Sequence, residues 1–255
     1  MPEESILHDI GKQYEALYRA FEDRKSEAVY FTGICGKDYY PDPVRLMVVG
    51  RAPNGWTTLK NISSAEQMNK IAIYEFTDTS RADWVHAKNS RLYNEDESYS
   101  LERSAFWTRT ADIWKSMADR LEPDGVHDRL ELMHHIVWTN LYKISRPDNN
   151  PTGGMIKKQQ DFCRRILEDE ICYLKPRRIL MITGSDWFEP FSGIFSDDEK
   201  IGVNKYKENE KNDIYVERTA RYKGEDFESD CIITCRPEYR GKADFINDVM
   251  EHFQM

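Results

Sequence analysis

The sequence predicts an α/β domain built on a mostly parallel sheet. Short apolar runs that end in glycine or a polar turn alternate with longer stretches of helical periodicity. The chain has 255 residues, of which 40% are apolar, enough for one large core, and no Pro/Gly/Ser-rich linker divides it. A single domain over residues 1–255 is expected, with an insertion at about 56–100.

Ile6, Ile10, Tyr14, Leu17 and Phe21 recur at helical spacing and predict an amphipathic N-terminal helix. Pro41 and Pro43 close a loop before the apolar run Val44–Val49, which reads as a buried strand ended by Gly50. Residues 51–100 are polar with scattered aromatics (Trp56, Tyr74, Phe76, Trp84, Tyr93, Tyr99), too long for an ordinary connection. They read as a lid-like insertion carrying a short helix near Ala65 to Ile73. Trp107, Thr110, Trp114, Met117 and Leu121 then line one helical face.

The run His135–Asn140 is a second strand, and Asp148–Gly154 a loop. A helix follows from about Ile156 to Leu174, with Phe162, Cys163, Ile166, Leu167 and Ile171 facing inward, until Pro176 breaks it. Arg178–Thr183 is a third strand, followed by Gly184. Ser196–Asn212 reads as a charged surface loop, Ile214–Arg218 as an edge strand, Cys231–Thr234 as a strand, and Ala243–Phe253 as the closing helix.

The formal net charge of −9 counts against a generally basic nucleic-acid binder and leaves room for a local basic patch. The five cysteines, Cys35, Cys163, Cys172, Cys231 and Cys235, show no disulfide framework and suit a cytoplasmic chain. The N-terminus lacks the basic and apolar regions of a signal peptide, and no run is long enough to span a membrane. There is no His-Glu-x-x-His, Gly-x-Ser-x-Gly or Walker loop. Cys231 and Cys235 lie four apart at a strand end and read as bland side chains in preference to a metal site, so no metal or other cofactor is expected.

In open α/β sheets the ligand lies beyond the carboxyl ends of the strands. Three turns sit there: Gly50-Arg51-Ala52-Pro53-Asn54-Gly55, Asn140-Leu141-Tyr142-Lys143 and Cys235-Arg236-Pro237-Glu238. Gly50 allows a sharp turn and close backbone approach, and Pro53 stiffens it. Asn140 carries the donors and acceptor needed to read the edge of a base. Lys143 and Arg146, with Arg51, Arg236, Arg240 and Lys242, would form a cationic rim suited to phosphates. The competing readings are an ordinary strand-to-helix turn at Gly50, a local cap at Asn140, and scattered surface charge.

The stretch Val137–Pro151, with Thr139-Asn140, Lys143, Arg146-Pro147 and Pro151, resembles the second motif of the iron–sulfur branch of the uracil-DNA glycosylase-like superfamily. Phe162-Cys163 through Pro176 to Gly184 is similar to that branch's Cys-bearing helix and following strand. Val48-Val49-Gly50-Arg51-Ala52-Pro53 is similar to its first motif, and Cys235-Arg236-Pro237 stands where the superfamily has His-Pro. The resemblance covers about 200 residues in family order. It implies a three-layer α/β/α fold and a DNA glycosylase that flips a base out and hydrolyses its N-glycosidic bond.

Carried onto this chain, the resemblance implies that Asn140 reads the base while Gly50, Arg51, Ala52 and Pro53 line the pocket. Trp56, or an aromatic of the insertion, stacks on the base, and Lys143 and Arg146 hold phosphates. Arg236 faces the leaving base or a neighbouring phosphate, Asn54 positions water, and Glu238 is an alternative carboxylate. Two departures stand out: Ala52 replaces the usual water-positioning Asp or Asn, and Arg236 replaces His. Most cluster cysteines are also missing, so no iron–sulfur cluster is implied. The alternatives are a catalytically inactive base-binding module of the same fold and a small-nucleotide hydrolase.

Overall fold

A computed structural model describes residues 3–53, 57–77, 104–202, 214–238 and 241–253. Two sheets and seven α-helices occur among them. The smaller sheet has order β4-β1-β6, from β1 (Val29–Tyr30), β4 (Thr57–Thr58) and β6 (Ile144–Ser145). The larger has order β2-β5-β3-β7-β10-β9-β8: β2 (Ile34–Cys35), β3 (Leu46–Gly50), β5 (Ile136–Asn140), β7 (Arg178–Ile182), β8 (Ser196–Lys200), β9 (Val216–Lys223) and β10 (Glu228–Thr234).

The α/β class holds, but the sheet is mixed and not mostly parallel. β7 pairs in parallel with both β3 and β10. β9 runs antiparallel to β10 and to β8. The reason is local. β9 and β10 are joined by a short turn with Gly224, which permits only an antiparallel hairpin, whereas parallel neighbours need a crossover.

The chain divides into two compact units, with boundaries after residues 34, 49, 78, 137 and 175. The first unit comprises 1–34, 50–78 and 138–175. Its α1 (Glu3–Phe21) buries the expected Ile6, Ile10, Tyr14, Leu17 and Phe21. That face meets α2 (Ala65–Thr77) and α5 (Gly153–Leu174). Residues 57–77 are core, in place of the expected lid. Leu59, Ile62, Met68, Ala72 and Phe76 are buried, β4 pairs with β1, and Tyr18 donates to the Ile62 carbonyl at 3.0 Å. The rest of the expected insertion, 78–103, lies outside the described residues.

The second unit comprises 35–49, 79–137 and 176–255. It holds α3 (Ala105–Leu121), α4 (Leu132–His135), α6 (Ser185–Phe188) and α7 (Lys242–His252). Ser104 caps α3 by accepting from the Trp107 amide at 3.4 Å. Trp107, Thr110, Trp114 and Met117 are buried as their spacing predicts, but Leu121 is 37% exposed because the helix has run past the core. β8 falls where a loop is expected. Ser-Asp-Asp-Glu-Lys has no apolar face, and its pairing with β9 alone makes it a strand. The charged residues suit a sheet edge.

No described helix is long and apolar enough to cross a membrane.

Candidate functional site

The turns after β3 and β5 meet in the first unit. The Gly50 carbonyl accepts from the Leu141 amide at 2.8 Å, and the Arg51 carbonyl from the Tyr142 amide at 3.0 Å. Ser145 Oγ donates to the Pro53 carbonyl at 2.6 Å. The next two amides, Lys143 and Ile144, both donate to Gln159 Oε1 on α5, at 3.2 and 2.9 Å. Gln159 Nε2 returns a bond of 2.7 Å to the Ile144 carbonyl. Every backbone N–H from 141 to 144 is therefore committed, which fixes the turn before any ligand arrives.

Asn140 sits at the head of this turn and is only 3% exposed. A Cβ on Gly50 would fall on its amide oxygen, closer than real Cβ atoms approach, so glycine is what lets Asn140 lie there. Among the described residues, the Asn140 amide has no hydrogen-bond partner. Its remaining 3% exposure leaves the amide a narrow opening to solvent, through which a ligand can reach it. It is the feature of this site that asks for a ligand.

Lys143 is not part of a cationic rim. Its side chain is fully buried in an ion pair with Glu170 of α5, Nζ lying 2.9 Å from each carboxylate oxygen. It also donates to Thr139 Oγ1 at 2.6 Å, and that hydroxyl donates to Glu170 at 2.8 Å. Tyr14 donates to the same carboxylate at 3.2 Å, and burial beside Glu170 holds its phenol far above its usual range. Four carbons of side chain carry the ammonium inward because Glu170 is there to pair with it. Glu170 and Gln159 were missed by sequence reasoning. The available signal was their place in the inward stripe of α5, with Cys163, Ile166 and Ile171, where a charge or amide requires an internal partner.

The remaining candidates separate. Arg51 and Ala52 are half-buried, Pro53 is buried, and Arg146 is exposed, with Nε donating to the Asn150 carbonyl at 3.4 Å. Asn54 and Trp56 lie outside the described residues. Arg236 and Glu238 belong to the second unit. They pair with each other at the surface, Arg236 Nε donating to Glu238 at 3.1 Å. Neither is therefore a free charge.

The cysteines are free thiols. Burial pushes Cys35 and Cys163 up to about 12 and Cys231 well above the thiol range, so these three are not thiolate nucleophiles at neutral pH. Among the described residues, no group of three His, Cys, Asp or Glu side chains could hold a metal.

A scan against protein-family models finds no match to this chain, and no curated protein matches it in sequence.

Proposed function

We propose that the chain is a uracil-DNA glycosylase-like protein that hydrolyses the N-glycosidic bond of a uracil-like, damaged or modified base in DNA. The observation that carries the reading is the Asn140 amide, buried, unpartnered and held by a turn whose own amides are all committed. An amide reads a base edge by donating and accepting at once. Such a group is most useful where water is excluded and its position is fixed beforehand.

In this reading a base flipped out of the stack would meet Asn140 at its edge and the Gly50–Pro53 turn along its side. The bond from the sugar C1′ to the base nitrogen breaks, and the base leaves with the electron pair. Water then adds its oxygen to C1′, and its proton ends on the base. The resemblance in the order of motifs supports the three-layer α/β/α fold and the reaction class together.

A second reading, a base-binding module without catalysis, is favoured by one observation. Arg236 and Glu238 neutralise each other in a surface pair, and Ala52 has no group with which to position water.

The test is cleavage of labelled DNA carrying uracil, hypoxanthine or modified cytosines, followed by alkali to break abasic sites. Strand breaks that vanish in Asn140→Ala establish the glycosylase. Binding of the modified strand without breaks, lost in the same variant, establishes the module. Neither binding nor breakage dependent on Asn140 refutes both.

A further inference from the structure

In the second unit, two segments lead side by side into the parallel strands β3 and β7. Leu46 pairs with Arg178 where the strands begin. The Arg45 carbonyl accepts from the amides of Arg177 and Arg178 at 3.1 and 3.4 Å. The side chains return to the same turn, Arg177 Nη1 donating to the Pro43 carbonyl at 3.4 Å and Arg178 Nη1 to the Val44 carbonyl at 3.1 Å. Three arginines are thus gathered on one three-residue turn. Arg45 holds a φ of 46°, a left-handed backbone uncommon for a residue with a side chain. Asp42 Oδ1 supports it by accepting from the Val44 and Arg45 amides at 2.8 and 3.3 Å.

Arg178 is 8% exposed, and its Nε is buried with no hydrogen-bond partner. Among the described residues, neither Arg177 nor Arg178 forms an ion pair with a carboxylate. The carboxylates whose charge reaches Arg178 are Asp230 and Asp42, and both are engaged elsewhere. Asp230 faces Arg221 at 3.3 Å. Asp42 accepts from the two turn amides and from Trp114 Nε1 at 3.2 Å, and His135 Nδ1 lies 2.8 Å from its carboxylate. A guanidinium does not give up its charge when buried, and a buried charge without a counter-ion is costly. Arg177 and Arg178 therefore carry positive charge that no described carboxylate pairs, on a chain whose net charge is −9.

The partner's class follows from the aromatic side of the turn. The Arg45 guanidinium lies 5.5 Å from the Tyr39 ring centroid and 5.6 Å from that of Tyr40. Tyr39 is buried, whereas Tyr40 is 49% exposed. An exposed ring with a cation on it, beside the Arg177 and Arg178 guanidiniums that no described carboxylate pairs, combines a stacking platform with phosphate binding.

We propose that Arg45, Arg177, Arg178 and Tyr40 form a binding site for single-stranded nucleic acid, the arginines holding phosphates and Tyr40 stacking on a base. The site goes beyond the base-reading turn of the first unit and does not depend on it.

The test uses the full chain and a fluorescein-labelled oligothymidylate, which carries no damaged base, with anisotropy followed as salt is raised. Arg177→Glu is expected to weaken binding about tenfold and to lower the salt slope by roughly 0.7, the value of one single-strand phosphate. Tyr40→Ala is expected to weaken it about tenfold with the slope unchanged. Both positions are exposed, so circular dichroism should report an intact fold. Failure to bind oligothymidylate, or equal binding by wild type and both variants, overturns the proposal. So does binding to phosphatidylserine vesicles in preference to the oligonucleotide.

Discussion

At the scale of single residues, the Asn140 amide separates stability from function. It makes no hydrogen bond within the described protein, so removing it leaves no protein partner unsatisfied. Asn140→Ala is expected to change unfolding free energy in urea by less than about 1 kcal/mol. Base binding should weaken by roughly ten- to a hundredfold, the worth of a buried hydrogen-bonding group. Loss of stability comparable to a core truncation would make Asn140 a structural residue. Gly50→Ala attacks the same point from the backbone. Its new Cβ collides with the Asn140 oxygen, so the side chain must swing away and binding should fall as far as in Asn140→Ala. Lys143 gives the opposite pattern. Lys143→Met leaves Glu170 buried and unpaired and should cost about 3–5 kcal/mol by urea unfolding. The double variant Lys143→Met with Glu170→Leu should recover most of that loss, because neither charge is then left alone.

At the scale of elements, α5 does most of the positioning. Gln159 clamps the turn after β5, and Glu170 takes Lys143 and Thr139. The next residue outward, Asp169, is partly buried near Asp9 of α1. Desolvation, then repulsion from Asp9, Glu168 and Glu170, raises its carboxyl to about 7. The sign follows from comparing states. Below pH ~4 the carboxyl is protonated in both the folded and unfolded chain. Between pH ~4 and 7 the unfolded chain releases the proton while the folded chain keeps it, so stability declines as pH rises and levels off above 7. Asp169→Asn should therefore stabilise the protein at pH 8 and not at pH 4. With solvent screening of a half-exposed group, the gain is on the order of 1 kcal/mol, measured as a difference in unfolding midpoint. An equal gain at both pH values would place the cause elsewhere.

The long helices and the apolar strands β3, β5 and β7 were legible because each carries its own period or apolar run, whereas β9, expected as an edge strand over Ile214–Arg218, runs Val216–Lys223 between β10 and β8. α1, α3, α5 and α7 fall within a few residues of the apolar stripes that predict them. The two-residue strands β1, β2, β4 and β6 have no period to show, and β8 has no apolar residue at all. Of the candidate site, the turns carrying Gly50 and Asn140 could be marked in the sequence because each follows a short apolar strand. The burial of Lys143 was not, since its partner lies 27 residues on, and only the folded helix brings Glu170 back to it.

At the scale of the whole molecule, the chain threads both compact units repeatedly. The first unit takes three segments, 1–34, 50–78 and 138–175, and the second takes 35–49, 79–137 and 176–255. Neither core is continuous in sequence. A cut at 137/138 separates α1 from α5, which pack on each other, and β3 from its partner β7. Each half then keeps apolar faces that only the missing half can cover, and conformational entropy is no longer offset by burial. Fragments 1–137 and 138–255 expressed apart should show no cooperative thermal transition by circular dichroism. Mixed together, they should regain one, because the long-range contacts need no covalent link at the cut. A cooperative transition in either fragment alone would mean that one unit's core is sufficient without its other segments. The same threading makes the cost of Lys143→Met a property of the fold. That ion pair ties segment 138–175 to itself, while Tyr14 in segment 1–34 bonds the same carboxylate, so loosening it should lower the unfolding midpoint of the whole transition and not of a separate early phase.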